Sequence, residues 1–361
     1  MTALPTTVHE ADLLVTEAYE FAIEAAKQAG AVIRDAFYRQ GQWSTAFSQP
    51  TDSSSGETSL IKLGNPADLV TAVDEHVERL IQSAITAKYP LHKFIGEETI
   101  AALTVNGQQP VLELTDEPTW IVDPIDGTIN FVHSFPFVAV SIAFAVNKQL
   151  VIGVVYNPIL NELYSARANV NGSSNGAGKS GAWLNETQKL PLIPSSAHTP
   201  LKSVSDAYVI SEHGSDRSDA PLSSKINSIH RLLNPNVGGN GEGGLVRGVR
   251  VLGSGALDMC MIARGSADIY WEIGSHCWDI AAGIVIVRES GGHVFDGIGR
   301  FNNQSEAAAQ TVRIGQKFDL FSRRVFAIRA MDDKEDAEKI ANEFLKLVED
   351  IVVVPDGVAY V

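Results

Sequence analysis

Cysteine is nearly missing from this chain of 361 residues, which holds Cys260 and Cys277 and no others. Two thiols cannot staple a fold of this length, so a disulfide framework is excluded and a reducing compartment is expected. Basic residues are also short. Lys and Arg number 28 against 43 Asp and Glu, giving a formal charge of −15. Such a surface repels nucleic acid and anionic membranes, so neither is expected as a partner. No apolar run reaches the ~18 residues that a membrane-spanning helix needs. The N-terminus lacks the basic and then apolar segments of a secretory signal, so a cytoplasmic setting is expected. What remains is ordinary: 45% of residues are hydrophobic and 20% charged, enough for a sizeable core. The acidity has one sharp consequence. An anionic substrate would be repelled too, so a site for one must contain something cationic.

Apolar periodicity supplies the elements. Leu14, Ala18, Phe21, Ala22, Ala25, Ala29, Val32, Ile33 and Ala36 recur at three and four, predicting a helix over 12–39 before Gly41. Val73, Val77, Leu80, Ile81, Ala84 and Ile85 predict a second over 71–88, stopped by Pro90. KFIGEE reads as a short strand meeting a loop. From Val138, β-rich runs broken at Asn147-Lys148 and Asn157-Pro158 predict an antiparallel meander. YVIS and ADIYWEI read as strands, and RVLGSGALDMCMIARG as strand, turn and helix. Helices are expected over 279–290, with Gly291 and Gly292 beyond the end, and over 335–349. The stretches 43–59, 169–178 and 235–244 are rich in Ser, Thr, Asn and Gly without periodicity, and are expected to be surface insertions. There is no internal repeat. Helices alternating with mostly antiparallel strands predict a layered α/β or α+β fold.

The chemistry concentrates in WIVDPIDGT, Trp120–Thr128. Pro124 cannot donate to a sheet ladder, so the strand is expected to stop after Asp123. Residues three apart on a strand face opposite sides, so a turn through Pro124 and Asp126-Gly127 is needed to aim Asp123 and Asp126 at one point. Gly127 lets the backbone approach a ligand, and the Gly127 and Thr128 amides suit anionic oxygens. A plain Asp-Gly surface turn would look the same. Further carboxylates sit at Glu97 and Glu98 in GEE, and at Glu272 and Asp279 in WEIGSHCWD. Each has a plainer reading: Glu98 as a solvated charge and Asp279 as a helix N-cap. His276 reads as hydrogen-bonded, Cys277 as core and His133 as structural. Taken together, carboxylates without a Cys/His cluster suit Mg²⁺ and argue against Zn²⁺. Paired metals can clamp both oxygens of a phosphoryl transfer, and would neutralise an acidic pocket and its anionic substrate together.

WIVDPIDGTINFVHSFPFVAVSIAF closely resembles the first signature of the inositol monophosphatase family, WDIAAGIVIVRESGGHV resembles its second, and GEET precedes both in the family's order. The similarity runs from roughly the first helix to the last. It implies an αβαβα five-layer sandwich of the inositol monophosphatase/fructose-1,6-bisphosphatase type. The whole of 1–361 would form one catalytic unit, with halves of about 1–200 and 201–361. It also implies a lithium-sensitive, Mg²⁺-dependent phosphatase with two to three ions per site, usually a homodimer, acting on a small phosphorylated polyol. By motif, Glu97, Asp123, the Ile125 carbonyl, Asp126 and Asp279 correspond to metal ligands. Glu97 and Thr128 would activate the attacking water, and Asp74 matches a carboxylate of the outer metal environment. The Gly127 and Thr128 amides would hold phosphate, while Asp126, Glu272 and Asp279 would bind cyclitol hydroxyls. Lys62 falls where the family has a lysine near the site. Gly255 stands where relatives often carry alanine beside the substrate. TINFVHSFPF looks like the inositol type, so fructose bisphosphate and 3′-phosphoadenosine phosphates fit less well. Another small sugar or polyol phosphate is the rival substrate, and some fungal relatives occur in quinate utilisation. A silent phosphate-ligand-binding member is the rival class. The intact set Glu97, Asp123, Asp126, Thr128 and Asp279 argues against it.

Overall fold

The computed structural model describes residues 8–39, 59–61, 69–105, 109–169, 180–236, 241, 243–301, 305 and 309–357. Lys62 lies outside the described residues, as do 43–58, 170–178, 237–240 and 242 of the three expected insertions.

Helix α1 (Val8–Tyr38) begins a turn before the predicted start. Strands β1 (Ser59–Ile61) and β2 (Leu69–Thr71) pair antiparallel. Helix α2 (Ala72–Lys88) opens on a capping box, in which the Thr71 hydroxyl accepts from the Val73 and Asp74 amides and Asp74 accepts from the Thr71 amide. After β3 (Lys93–Gly96), GEE does not enter a loop. It opens the short helix α3 (Glu97–Leu103). Then come β4 (Thr119–Asp126), α4 (Thr128–Val132), β5 (Ala139–Val146), β6 (Gln149–Asn157), β7 (Glu162–Arg167), β8 (Gly181–Leu184) and β9 (Gln188–Lys189). These strands form a seven-stranded sheet in the order β3-β4-β5-β6-β7-β8-β9, antiparallel except for β3 with β4. The meander is as expected. Asn147 and Lys148 both take positive φ (50° and 61°), the twist that a tight hairpin between right-twisted strands demands.

The second half runs β10 (Tyr208–Ser211), α5 (Asp219–Leu233), β11 (Gly248–Arg250), α6 (Gly255–Arg264), β12 (Ile269–Ile273), α7 (Cys277–Glu289), β13 (His293–Phe295), β14 (Arg324–Ile328) and α8 (Lys334–Leu345). Its sheet has the order β11-β10-β12-β14-β13, parallel through β12 and antiparallel beyond. The last helix ends before the predicted 349, and α7 starts two residues before the predicted 279.

Three apolar clusters define the layers. One joins α1 and α2 to the outer face of the large sheet through Val15, Ala18, Ala22, Val77, Trp120 and Phe144. The central one packs α6 and α7 between the two sheets. The third covers the outer face of the smaller sheet with α8 through Phe326, Ile340 and Phe344. The order is therefore α, β, α, β, α. Helix α7 is apolar all round, with Ile280, Ala281, Ile284, Val285 and Ile286 buried, which is what a helix between two sheets requires. Each buried Ile or Val there contributes roughly 1.5–3 kcal/mol relative to exposure. Gly153 of β6 lies so close that a Cβ on it would sit 2.2 Å from the Ala282 carbonyl oxygen. A Cβ on Gly283 would sit 2.5 Å from Met259 Cβ of α6. The sheet and α7 thus approach at backbone distance, and α6 packs directly on the other side of α7.

Candidate functional site

Strand β4 is buried along its whole length and ends in the acidic pair. It does not stop at Pro124. Asp123 pairs with Ser141 and Asp126 with Ala139, so β4 carries one residue more than β5 across that interval. This is a β-bulge, and Pro124 sits inside it, where no ladder donor is required. The extra residue changes the facing of everything after it, which lets Asp123 and Asp126 converge. The Ile125 amide donates to Asp123 Oδ1 at 3.0 Å and fixes that side chain.

Gly127 follows at φ 91° and is the N-cap of α4. A Cβ there would meet the Phe137 and Gly253 carbonyl oxygens at 2.9 and 3.0 Å, so conformation and space both call for glycine. Thr128 starts α4. Its hydroxyl lies 3.0 Å from the Ile125 carbonyl and 3.1 Å from Asp74 Oδ1. Asp74 is therefore held twice, by the start of α2 and by Thr128. Glu97 opens α3, and this start is clamped by Glu78 of α2, which accepts the Glu98 amide at 2.8 Å and the Thr99 amide at 2.7 Å. Glu98 enters the clamp through its backbone amide.

The other half of the chain contributes α6, β12 and α7. Asp126 Oδ2 accepts from the Ser254 hydroxyl at 2.6 Å and the Ala256 amide at 2.7 Å, so a carboxylate of the first half caps α6 of the second. Asp279 is the third residue of α7 and not its N-cap, as one of its sequence readings had it. The N-cap is His276, whose amide donates to Asp279 Oδ2 at 2.7 Å. Asp356 secures this start, pairing with His276 Nδ1 at 2.6 Å and accepting the Cys277 amide at 2.8 Å. Cys277 is buried, as expected. Glu272 is buried on β12 and accepts from the Tyr270 hydroxyl. Gly255 opens α6. A Cβ on it would lie 3.1 Å from the Tyr270 hydroxyl and within 3.7 Å of Asp279 and Glu272, so Tyr270 already fills the space an alanine would take.

These elements bring one ligand atom each of Asp123, Asp126 and Asp279 within 4.8 Å of one another. Glu97, Asp126, Gly127, Thr128, Gly255, Glu272 and Asp279 line a single open cavity of about 340 Å³. Asp74 and Asp123 are buried behind its wall. Burial raises Asp123 well above the usual carboxylate range, reinforced by Glu97, Asp126 and Asp279. Burial likewise lifts Asp74 to about 7, against the hydrogen bonds from Thr71 and Thr128 that lower it. Asp126 is raised to about 7, again chiefly by burial. Asp279 is raised well above its ordinary value by burial and then by Asp126 and Glu97. Carboxylates crowded this way in a poorly solvated place cannot all ionise without countercharge. The donor set is oxygen throughout, which fits a hard divalent cation and not Zn²⁺.

Sequence reasoning missed the groups that hold the site. Glu78, Ser254 and Asp356 act through partners distant in the chain. Glu212 accepts the Leu252 and Gly253 amides at 2.6 and 3.0 Å and also lines the cavity. Only Glu78 left a local trace, as an acid that, with Asp74, interrupts the apolar face of α2.

The model of the inositol monophosphatase family matches residues 14–349 of the chain. A curated relative from Neurospora crassa, "Quinic acid degradation cluster protein x", is 41% identical over 297 residues, covering 81% of each chain. Inositol monophosphatase 1 of Bos taurus is 37% identical over 327 residues, covering 91% of this chain and 94% of its own. The solved structure of the extragenic suppressor protein suhB from Bartonella henselae superposes with a TM-score of 0.62 at 25% identity, over 91% of this chain and 98% of that one. Likeness of this extent, running through nearly the whole of each relative and through both halves that build the acidic cavity, makes the chain a member of the inositol monophosphatase family.

Proposed function

We propose that the chain is a Mg²⁺-dependent phosphomonoesterase that hydrolyses inositol monophosphate to inositol and phosphate. The carrying observation is the convergence of Asp123, Asp126 and Asp279 in an oxygen-only cluster of a strongly acidic protein. Asp123, Asp126, Asp279, Glu97 and the Ile125 carbonyl would hold two to three Mg²⁺ ions. When bound, the ions would supply Lewis-acid charge that offsets both the carboxylates and the substrate's phosphate. The rest falls to the chain. Thr128 already directs its hydroxyl proton at Asp74 or the Ile125 carbonyl, which leaves its lone pairs for a water hydrogen. Glu97, on the cavity wall beside it, would accept that water's proton and align its oxygen with phosphorus. The Gly127 and Thr128 amides would hold phosphate oxygens. Glu272, kept in place by Tyr270, would accept from ring hydroxyls together with Asp126 and Asp279. Lys62 near the rim, a single catalytic unit with halves of about 1–200 and 201–361, a homodimer and a cytoplasmic setting belong to the same proposal.

A second reading has its own observation. The Neurospora crassa relative whose name places it in a quinic acid degradation cluster is as similar as the inositol monophosphatases, so another cyclic polyol phosphate is the alternative substrate. The test is phosphate release by the purified chain from myo-inositol 1-phosphate, glycerol 2-phosphate, 2′-AMP, fructose 1,6-bisphosphate and 3′-phosphoadenosine 5′-phosphate. Turnover should vanish in EDTA, return with Mg²⁺ and fall with millimolar lithium. Full activity in chelator refutes the metal mechanism. Turnover confined to a substrate other than the inositol ester replaces the first reading with the second.

A further inference from the structure

Helix α7 carries Asp279 at one end and Arg288 in its last turn at the other. At 1.5 Å per residue these lie about 13 Å apart along the axis. Around Arg288 opens a cavity of about 770 Å³, larger than the acidic one. It is formed by the β5–β6 turn, the end of α7, strand β13, the 314–320 segment and the start of α8. Among the described residues, Lys148, Arg288, Lys317 and Lys334 line it together with His293, and no Asp or Glu does.

That composition is unexpected in a chain whose acids outnumber its bases 43 to 28. Arg288 alone would need no explanation, because a cation suits the negative end of a helix dipole. Lys148, Lys317 and Lys334 come from three other segments and have no such reason to converge. Among the described residues none of the four forms an ion pair, and Glu338 acts on His293 beside them. Arg288 reaches solvent, yet partial desolvation lowers its pKa, and no carboxylate is there to raise it. Like charges collected around one concavity repel each other unless an anion sits among them. A guanidinium fork with flanking ammonium groups matches the oxygens of phosphate better than a lone carboxylate. The volume lies in the range of small-molecule sites.

We propose that this cavity is a second binding site, separate from the acidic one, for a small polyanion bearing two or more phosphate groups. The inference does not depend on what the acidic site hydrolyses.

Isothermal titration with inorganic pyrophosphate tests it, on protein stripped of metal by chelating resin and free of soluble chelator, at constant ionic strength set by NaCl. Without metal the acidic cavity repels the probe, so heat reports on the other site. Saturable binding is expected near one per chain, and unchanged in Asp123→Asn. Arg288→Met should weaken it about tenfold or more, as losing a hydrogen bond to a charged group does. Lys317→Met/Lys334→Met, at exposed positions, should do the same and serves if Arg288→Met is not folded by circular dichroism. The proposal is overturned by the absence of saturable heat, by unaltered binding in the folded variants, or by binding lost in Asp123→Asn.

Discussion

Asp74→Asn separates the electrostatic strain of the acidic site from its catalytic use. Asp74 is 1% exposed and burial raises it to about 7 from 3.8. An unfolded chain ionises this carboxyl freely from about pH 4, while the folded chain keeps the proton until about pH 7. A raised acid therefore costs nothing at low pH. It costs progressively more as pH climbs through that window, and no more beyond it. About 3 units at 1.36 kcal/mol each gives an upper figure of ~4 kcal/mol for the metal-free protein near pH 8. With an unfolding entropy of ~2.1 cal/mol/K per residue, the chain should lose about 5 °C of melting temperature from this one group. Asparagine keeps the shape, can accept the Thr71 amide and cannot ionise. In EDTA, Asp74→Asn should melt close to the parent at pH 4.5 and up to about 5 °C above it at pH 8. Differential scanning fluorimetry of both proteins across that range reads the difference directly. A gap that stays constant with pH would refute the reasoning, because it would mean that Asp74 ionises in the folded protein as easily as in the unfolded one.

Other substitutions test other parts. Glu97→Gln should lower kcat by more than the ~10–100-fold typical of losing a partner of a metal ligand, whereas Glu98→Gln should not, which steady-state phosphate release distinguishes. Asp279→Asn retains an acceptor for the His276 amide, so it should fold with an unchanged or higher melting temperature in EDTA. Its activity should fall sharply and need far more Mg²⁺; a low melting temperature with normal Mg²⁺ dependence would leave Asp279 only its capping role. Gly153→Ala places a methyl against the Ala282 carbonyl and should cost ~1–3 kcal/mol or more by urea titration. Full stability there would mean that α7 can move away from the sheet.

Much of this was legible because the acids sit where short-range chemistry marks them. DPIDGT announced a break in a strand, and the structure turns that break into a bulge inside a continuing strand. The sequence could not tell stopping from bulging, since both remove the same ladder donor at Pro124. It placed Asp279 at the front of a helix but chose the first residue over the third. The true cap, His276, is recognised only with Asp356 beside it. GEE looked like a loop because the group that clamps the start of α3, Glu78, lies on another helix. Ser254 and Ala256 bind Asp126 across more than a hundred residues, and no local pattern carries that distance. Periodicity speaks for faces and ends, and is silent on which faces meet.

The smaller sheet has a consequence for synthesis. Its strand β14, nearly the last element of the chain, lies between β12 and β13 rather than at an edge. A growing chain can finish the seven-stranded sheet early, with Asp123 and Asp126 in place. It then waits for Asp279, and longer for the strand that completes the sheet carrying Glu272. Until β14 arrives, β12 presents an unpaired edge of Tyr270, Trp271 and Ile273, the kind of edge that recruits other chains. A chain interrupted before β14 would therefore carry all the acids of the site and still expose a sticky edge. The interval just before β14 emerges is when this chain is most open to wrong pairing.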